Sequence, residues 1–86
     1  MHNGKAKFIE VTTISIGVLG VQSKPLRAML NVEMVVSVRE CEHQQESSVK
    51  SEVDMHTGSG ETLHYFLYDS YETVTNLINQ AVGKYD

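Results

Sequence analysis

With a single cysteine, Cys41, this chain has no internal disulfide and carries no sign of an oxidising compartment. It has one proline, Pro25, placed where the fixed φ and missing N–H do least harm, in a turn. The apolar stretch from Ile14 to Val21 is broken by Gly17 and Gly20 and is too short to cross a bilayer. The start of the chain is polar and basic and leads into no secretory apolar core. The reading is therefore a cytoplasmic protein without membrane insertion. Basic charge is also short. Seven Lys and Arg stand against eleven Asp and Glu, for a net charge of −4. The basic residues are scattered from Lys5 to Lys84 rather than clustered, so a phosphate backbone finds no patch to bind and nucleic acid is disfavoured. No CxxC, HxxxH or nucleophile-elbow pattern occurs.

What remains is an ordinary globular composition. Hydrophobic residues make up 41% and charged residues 21%, which rules out a disordered chain. Eighty-six residues suffice for one domain. A domain of that size buries only about 60–65% of its unfolded surface, so its core is thin and further burial comes from a partner or a second copy.

Periodicity assigns the elements. From Lys7 to Ile14, Ile9, Val11 and Thr13 alternate with Phe8, Glu10 and Thr12, a half-buried strand rich in β-branched residues. The Ile14–Val21 run is a continuation of that strand or a bulge turning into a loop, because interior glycine marks bends. Gln22 to Pro25 is a turn. Arg27 to Val32 is a second strand, with a tight kink at Asn31 and Glu33. A third strand follows, in which Met34, Val36 and Val38 form the wholly apolar face and are expected inward, with Val35, Ser37 and Arg39 opposite. Residues 40–51 are almost entirely polar and are expected to pack on nothing, as an exposed, mobile loop. Glu52 to His56 is a fourth strand with Val53 and Met55 inward. Thr57-Gly58-Ser59-Gly60 is a hairpin turn, and Glu61 to Tyr68 is the fifth strand. Leu63, Tyr65 and Leu67 share one of its faces.

The last element is a helix over 70–82. Tyr71, Val74, Leu77, Ile78, Ala81 and Val82 form one apolar stripe. Asp69 or Ser70 caps it, with Glu72 three residues after Asp69 as in a capping box, and Gly83 ends it. So short a helix is marginal alone and must dock on the sheet. The expected fold is α+β: a small antiparallel β-sheet or partly open barrel of about five strands, closed by one C-terminal helix. It forms a single domain over 7–83 behind a flexible N-terminus over 1–6.

Candidate chemistry is sparse. Cys41 and His43 sit in the polar loop with His56 and His64 on neighbouring strands, and without ligand spacing they read as a surface thiol and surface imidazoles. The Thr57–Gly60 turn joins two strands rather than a strand and a helix, so it is no phosphate loop. Tyr65, Phe66, Tyr68 and Tyr71 supply bulk to a thin core, and alternatively a stacking surface for single-stranded bases. Phe66 falls opposite the Leu63–Leu67 face. Together with Val35 and the Ile14–Val21 run it gives more apolar surface than one sheet face and one helix can cover. The candidate interface is therefore Val18, Leu19, Val21, Val35, Phe66 and Tyr68, and a sheet edge offers a second route to association. No catalytic, cofactor-binding or metal-binding residues are assigned.

The order of these segments carries a resemblance. The run Phe8-Ile9-Glu10-Val11-Thr12 precedes Met29-Leu30-Asn31-Val32-Glu33-Met34-Val35-Val36-Ser37-Val38. Thr57-Gly58-Ser59-Gly60-Glu61-Thr62-Leu63 follows, then Asp69-Ser70-Tyr71-Glu72-Thr73-Val74 with Leu77-Ile78. Together they resemble the small FlbD-type proteins of bacterial flagellar gene clusters and similar short bacterial or phage proteins. Residues 13–26 and 40–52 lie outside the likeness. It implies a shared architecture and an accessory or interaction role, with no catalytic residues to carry over. The sequence thus points to a non-enzymatic protein-interaction module that self-associates and docks a protein partner. The alternative is a small barrel that binds single-stranded nucleic acid in a phage or regulatory setting.

Overall fold

The alternating segments become strands in a computed structural model, which describes residues 7–83. The expected flexible N-terminus, 1–6, lies outside the described residues. The elements are β1 (Phe8–Ile14), β2 (Ile16–Gly17), β3 (Gly20–Val21), β4 (Leu26–Asn31), a short 3-10 turn (Val32–Met34), β5 (Val35–Glu40), β6 (Ser51–His56), β7 (Thr62–Leu67) and α1 (Tyr71–Val82). Five strands form one antiparallel sheet in the order β4-β1-β7-β6-β5, which does not close into a barrel. β1 pairs with β4 from Phe8↔Asn31 to Thr13↔Leu26, but meets β7 only at Thr13↔Leu67 and Ile14↔Phe66. The β4–β1 pair and the β7–β6–β5 triplet thus meet at a narrow seam, and the helix packs against both β1 and β5.

The core lies between the helix and one sheet face. Ile9, Val11, Leu30, Val32, Val53, Met55, Leu67 and Val74 are buried there, with Leu77, Ile78 and Ala81 packed against them. The inward alternation of β1, β6 and β7 is as the period of two demands. The same stripe on α1 is trimmed at its ends, since Tyr71 and Val82 are exposed. Ser70, rather than Asp69, caps the helix: its Oγ accepts from the Thr73 N–H at 3.1 Å. The Asp69 carboxylate is instead engaged by the Thr12 N–H at 2.7 Å, which ties the helix entry to β1. Gly83 ends the helix with φ +64°, a left-handed conformation that favours glycine.

Three expectations are corrected. In β5 the Met34/Val36/Val38 face does not point inward as a unit. Val35 opposes Met55 and Ser37 opposes Asp54, so Val36 is the extra residue of a bulge. The bulge resets the alternation, so Val35 and Val38 pack on the core while Met34 and Val36 are exposed. The polar 40–51 segment does pack: Val49 is 1% exposed and Ser51 is fully buried, donating to the Asp69 carbonyl at 2.7 Å. One apolar residue suffices because β5 and β6 pair at the base of the segment, as far as Glu40↔Ser51. Finally, Ile16–Val21 is a separate hairpin, β2–β3, turning at Val18 and Leu19, with Gly20 at φ +122° where a side chain would be strained.

Candidate functional site on the open face of the sheet

The sheet face away from the helix gathers the polar halves of the alternating strands. Glu52 and Asp54 come from β6, His64 and Phe66 from β7, and Ser37 and Arg39 from β5. Register brings them side by side, since Asp54 pairs with both His64 and Ser37, and Glu52 with both Phe66 and Arg39. Asp54 is buried and fully engaged. His64 Nδ1–H donates to its Oδ1 at 2.6 Å, and Ser37 Oγ and the Arg39 guanidinium donate to its Oδ2, each at 3.0 Å. Glu52 lies 3.2 Å from both Arg39 and His64.

The charges within this group set its titration. Burial alone raises the Asp54 carboxyl, but the hydrogen bonds from His64 and Ser37 and the charge of Arg39 together hold it below its usual value. The hydrogen bond to Asp54 raises His64 against partial desolvation, and the carboxylates of Asp54 and Glu52 add to the effect. Ligand atoms of Glu52, Asp54 and His64 lie within 4.8 Å of one another, a set with the chemistry to hold a divalent cation. Arg39 already supplies the positive charge between the two carboxylates. No relay for nucleophilic catalysis is formed, because the Ser37 hydroxyl donates to Asp54 and not to His64.

The histidines and cysteine that the sequence singled out are dispersed. Only His64 joins this cluster, and Cys41, His43 and His56 stand outside it. Cys41 and His43 line an open cleft of about 830 Å³ between the 40–50 segment and the start of α1, together with Glu40, Glu42, Lys50 and Tyr71. Partial burial and the nearby Glu52 carboxylate push the Cys41 thiol up, the opposite of what an activated nucleophile needs. Sequence reasoning missed this cluster, although the i, i+2 spacing of Glu52 and Asp54 puts two carboxylates on one strand face. Their partner His64 carries no such signal, because cross-strand register is needed to place it.

The six candidate interface residues do not form one surface. Val18 and Leu19 are 94% and 98% exposed at the tip of the β2–β3 hairpin, with Val21 behind them. Val35 lies in β5 and packs on the core. Phe66 is half-buried on the open face, its ring T-shaped against that of His43 at 4.9 Å, and its neighbour across the strand is Glu52. Tyr68 is half-buried, its hydroxyl raised by desolvation and by Glu46.

Exposed apolar side chains also stand on both faces of the β1–β4 flank. Phe8 is 50%, Leu26 51% and Met29 60% exposed. Phe8 opposes Asn31 and Met29 opposes Glu10, so Phe8 and Met29 are diagonal neighbours on the open face, whereas Leu26, opposite Thr13, lies on the helix-side face. Glu10 and Arg27, which share that flank, neutralise one another in an ion pair. Among the described residues no helix is long and apolar enough to cross a membrane. No family model, no curated protein and no solved structure matches this chain.

Proposed function

We propose that this protein is a small non-enzymatic interaction module that associates with a second copy of itself and presents its remaining apolar surface to a protein partner. The observation that carries this reading is the β1–β4 flank, where Phe8 and Met29 on the open face, and Leu26 on the opposite face, stay in solvent after the helix has docked. Side chains of this size each contribute on the order of 1.5–3 kcal/mol when fully buried, so a domain with a thin core gains by covering them. The exposed Val18–Leu19 tip adds a second apolar feature, convex and suited to a concave partner. The likeness to FlbD-type accessory proteins points the same way.

The test is the mass of the purified chain by light scattering and sedimentation across a range of concentrations. A mass that rises from that of the 9.6 kDa chain toward twice that value supports the reading. A constant monomer mass up to about 100 µM, where any association stronger than about 5.5 kcal/mol populates the dimer, overturns it.

A further inference from the structure

Two strands end the sheet, and they are built differently. β5 carries a bulge at Val36 and the charged residues Arg39 and Glu40, features that blunt an edge against pairing. β4 pairs with β1 without a register shift over its whole length, and it has no proline, no bulge and one charged residue, Arg27, which is drawn to Glu10 on its inner neighbour. No described strand lies on the outer side of β4.

The hydrogen-bond phase of β4 shows which backbone groups are free. Val32 N–H donates to the Lys7 carbonyl at 2.9 Å, one step beyond the Phe8↔Asn31 pair. In an antiparallel ladder bonded pairs alternate. Leu26, Ala28 and Leu30 therefore turn their backbone toward β1, and Arg27, Met29 and Asn31 turn theirs outward. The opposite side of β1 fits the same phase, because Thr12 directs its N–H to Asp69 and its carbonyl to Tyr68 N–H.

We infer that β4 pairs antiparallel with β4 of a second copy, joining the two sheets into one across a two-fold axis at Ala28. The inference rests on the self-association proposed above and adds its location. Isologous antiparallel pairing places residues of one face opposite each other, so only registers centred on a residue are open. Centring on Arg27 sets two like charges directly opposite and is disfavoured. Centring on Met29 leaves Leu26 facing Val32, which belongs to the 3-10 turn and has no strand to offer. Centring on Ala28 gives both exposed apolar residues a partner: Leu26 lies against Leu30 of the other copy, and Met29 against the aliphatic stem of Arg27. The outward groups of Arg27 and Met29 then supply the bonds, and Ala28 faces its own copy in a non-bonded pair.

That pair is the handle for the test. Cα atoms in such a pair lie about 4.5 Å apart, within the span of a disulfide. Ala28→Cys in a Cys41→Ser background is expected to give a covalent dimer on mild oxidation. Met29→Pro removes an outward N–H that makes no bond within the chain, so it is expected to weaken the dimer at least about tenfold with its far-UV spectrum unchanged. Met29→Lys does the same by charge, should the proline variant fail to fold. Val36→Lys on the opposite edge is expected to leave the dimer intact. A dimer that survives both Met29 substitutions and gives no Ala28→Cys cross-link overturns this edge while leaving self-association standing. A wild-type chain that is monomeric throughout overturns both.

Discussion

The two leucines of β7 offer a sharp test of where the core lies. Leu63 and Leu67 share a strand, a face and a residue type, yet Leu67 is 0% exposed and Leu63 is 45% exposed. Leu67 ends the strand where the chain turns toward α1, between Thr13 of β1 and Ser51 of β6. Truncating it to alanine removes three carbons, about 2.4 kcal/mol of transfer free energy, and leaves a cavity that brings the cost to roughly 3–4 kcal/mol. The whole domain, at about 0.05–0.15 kcal/mol per residue over 86 residues, holds only some 4–13 kcal/mol. Leu67→Ala therefore lowers the melting temperature by roughly 12–30 °C. Leu63→Ala exposes no new cavity, because solvent already reaches the site, and costs about 1 kcal/mol. Thermal and urea unfolding followed by circular dichroism, at one fixed protein concentration so that association does not shift the midpoint, measures both. If Leu63→Ala costs as much as Leu67→Ala, the core is not centred on the Leu67 end of β7 and is arranged differently.

Two further outcomes concern the helix cap and the open-face cluster. Ser70→Ala deletes the acceptor for the Thr73 N–H and costs about 1 kcal/mol, readable in the same melts, whereas Asp69→Ala acts through β1 and not through the cap. The Asp54 carboxyl titrates below its usual 3.8, so its contribution is present above that pH and is lost as pH falls through the lowered folded value. His64 titrates above its usual 6.5, so its contribution is present below 6.5 and is lost as pH rises through the raised folded value. Stability against pH is therefore expected to peak between these limits, with Asp54 ionised and His64 protonated beside Glu52 and Arg39. His64→Gln flattens the alkaline limb and, by removing the imidazolium that helps hold the Asp54 carboxyl down, moves the acid limb toward higher pH; an unchanged alkaline limb in that variant would contradict the 2.6 Å contact.

The sequence by itself determined the elements whose pattern is local. Val53, Met55, Tyr65 and Leu67 alternate strictly, and Ser70 to Gly83 combine a cap, a stripe and a stop, so period and end signals located β6, β7 and α1. Where a local rule was interrupted, tertiary structure decided. The bulge at Val36 turned an apparently inward valine to solvent, and the β5–β6 pairing carried Val49 of a polar segment into the interior. The burial of Leu67 but not Leu63 follows from β1 pairing with β7 only at the Leu67 end, which no period encodes. Asp54 and His64, ten residues apart in the chain, meet only because β6 and β7 pair in that register. Alternation says which side a residue takes; which neighbour it meets there is fixed by hydrogen-bond register and by the one apolar stripe available to cover the sheet.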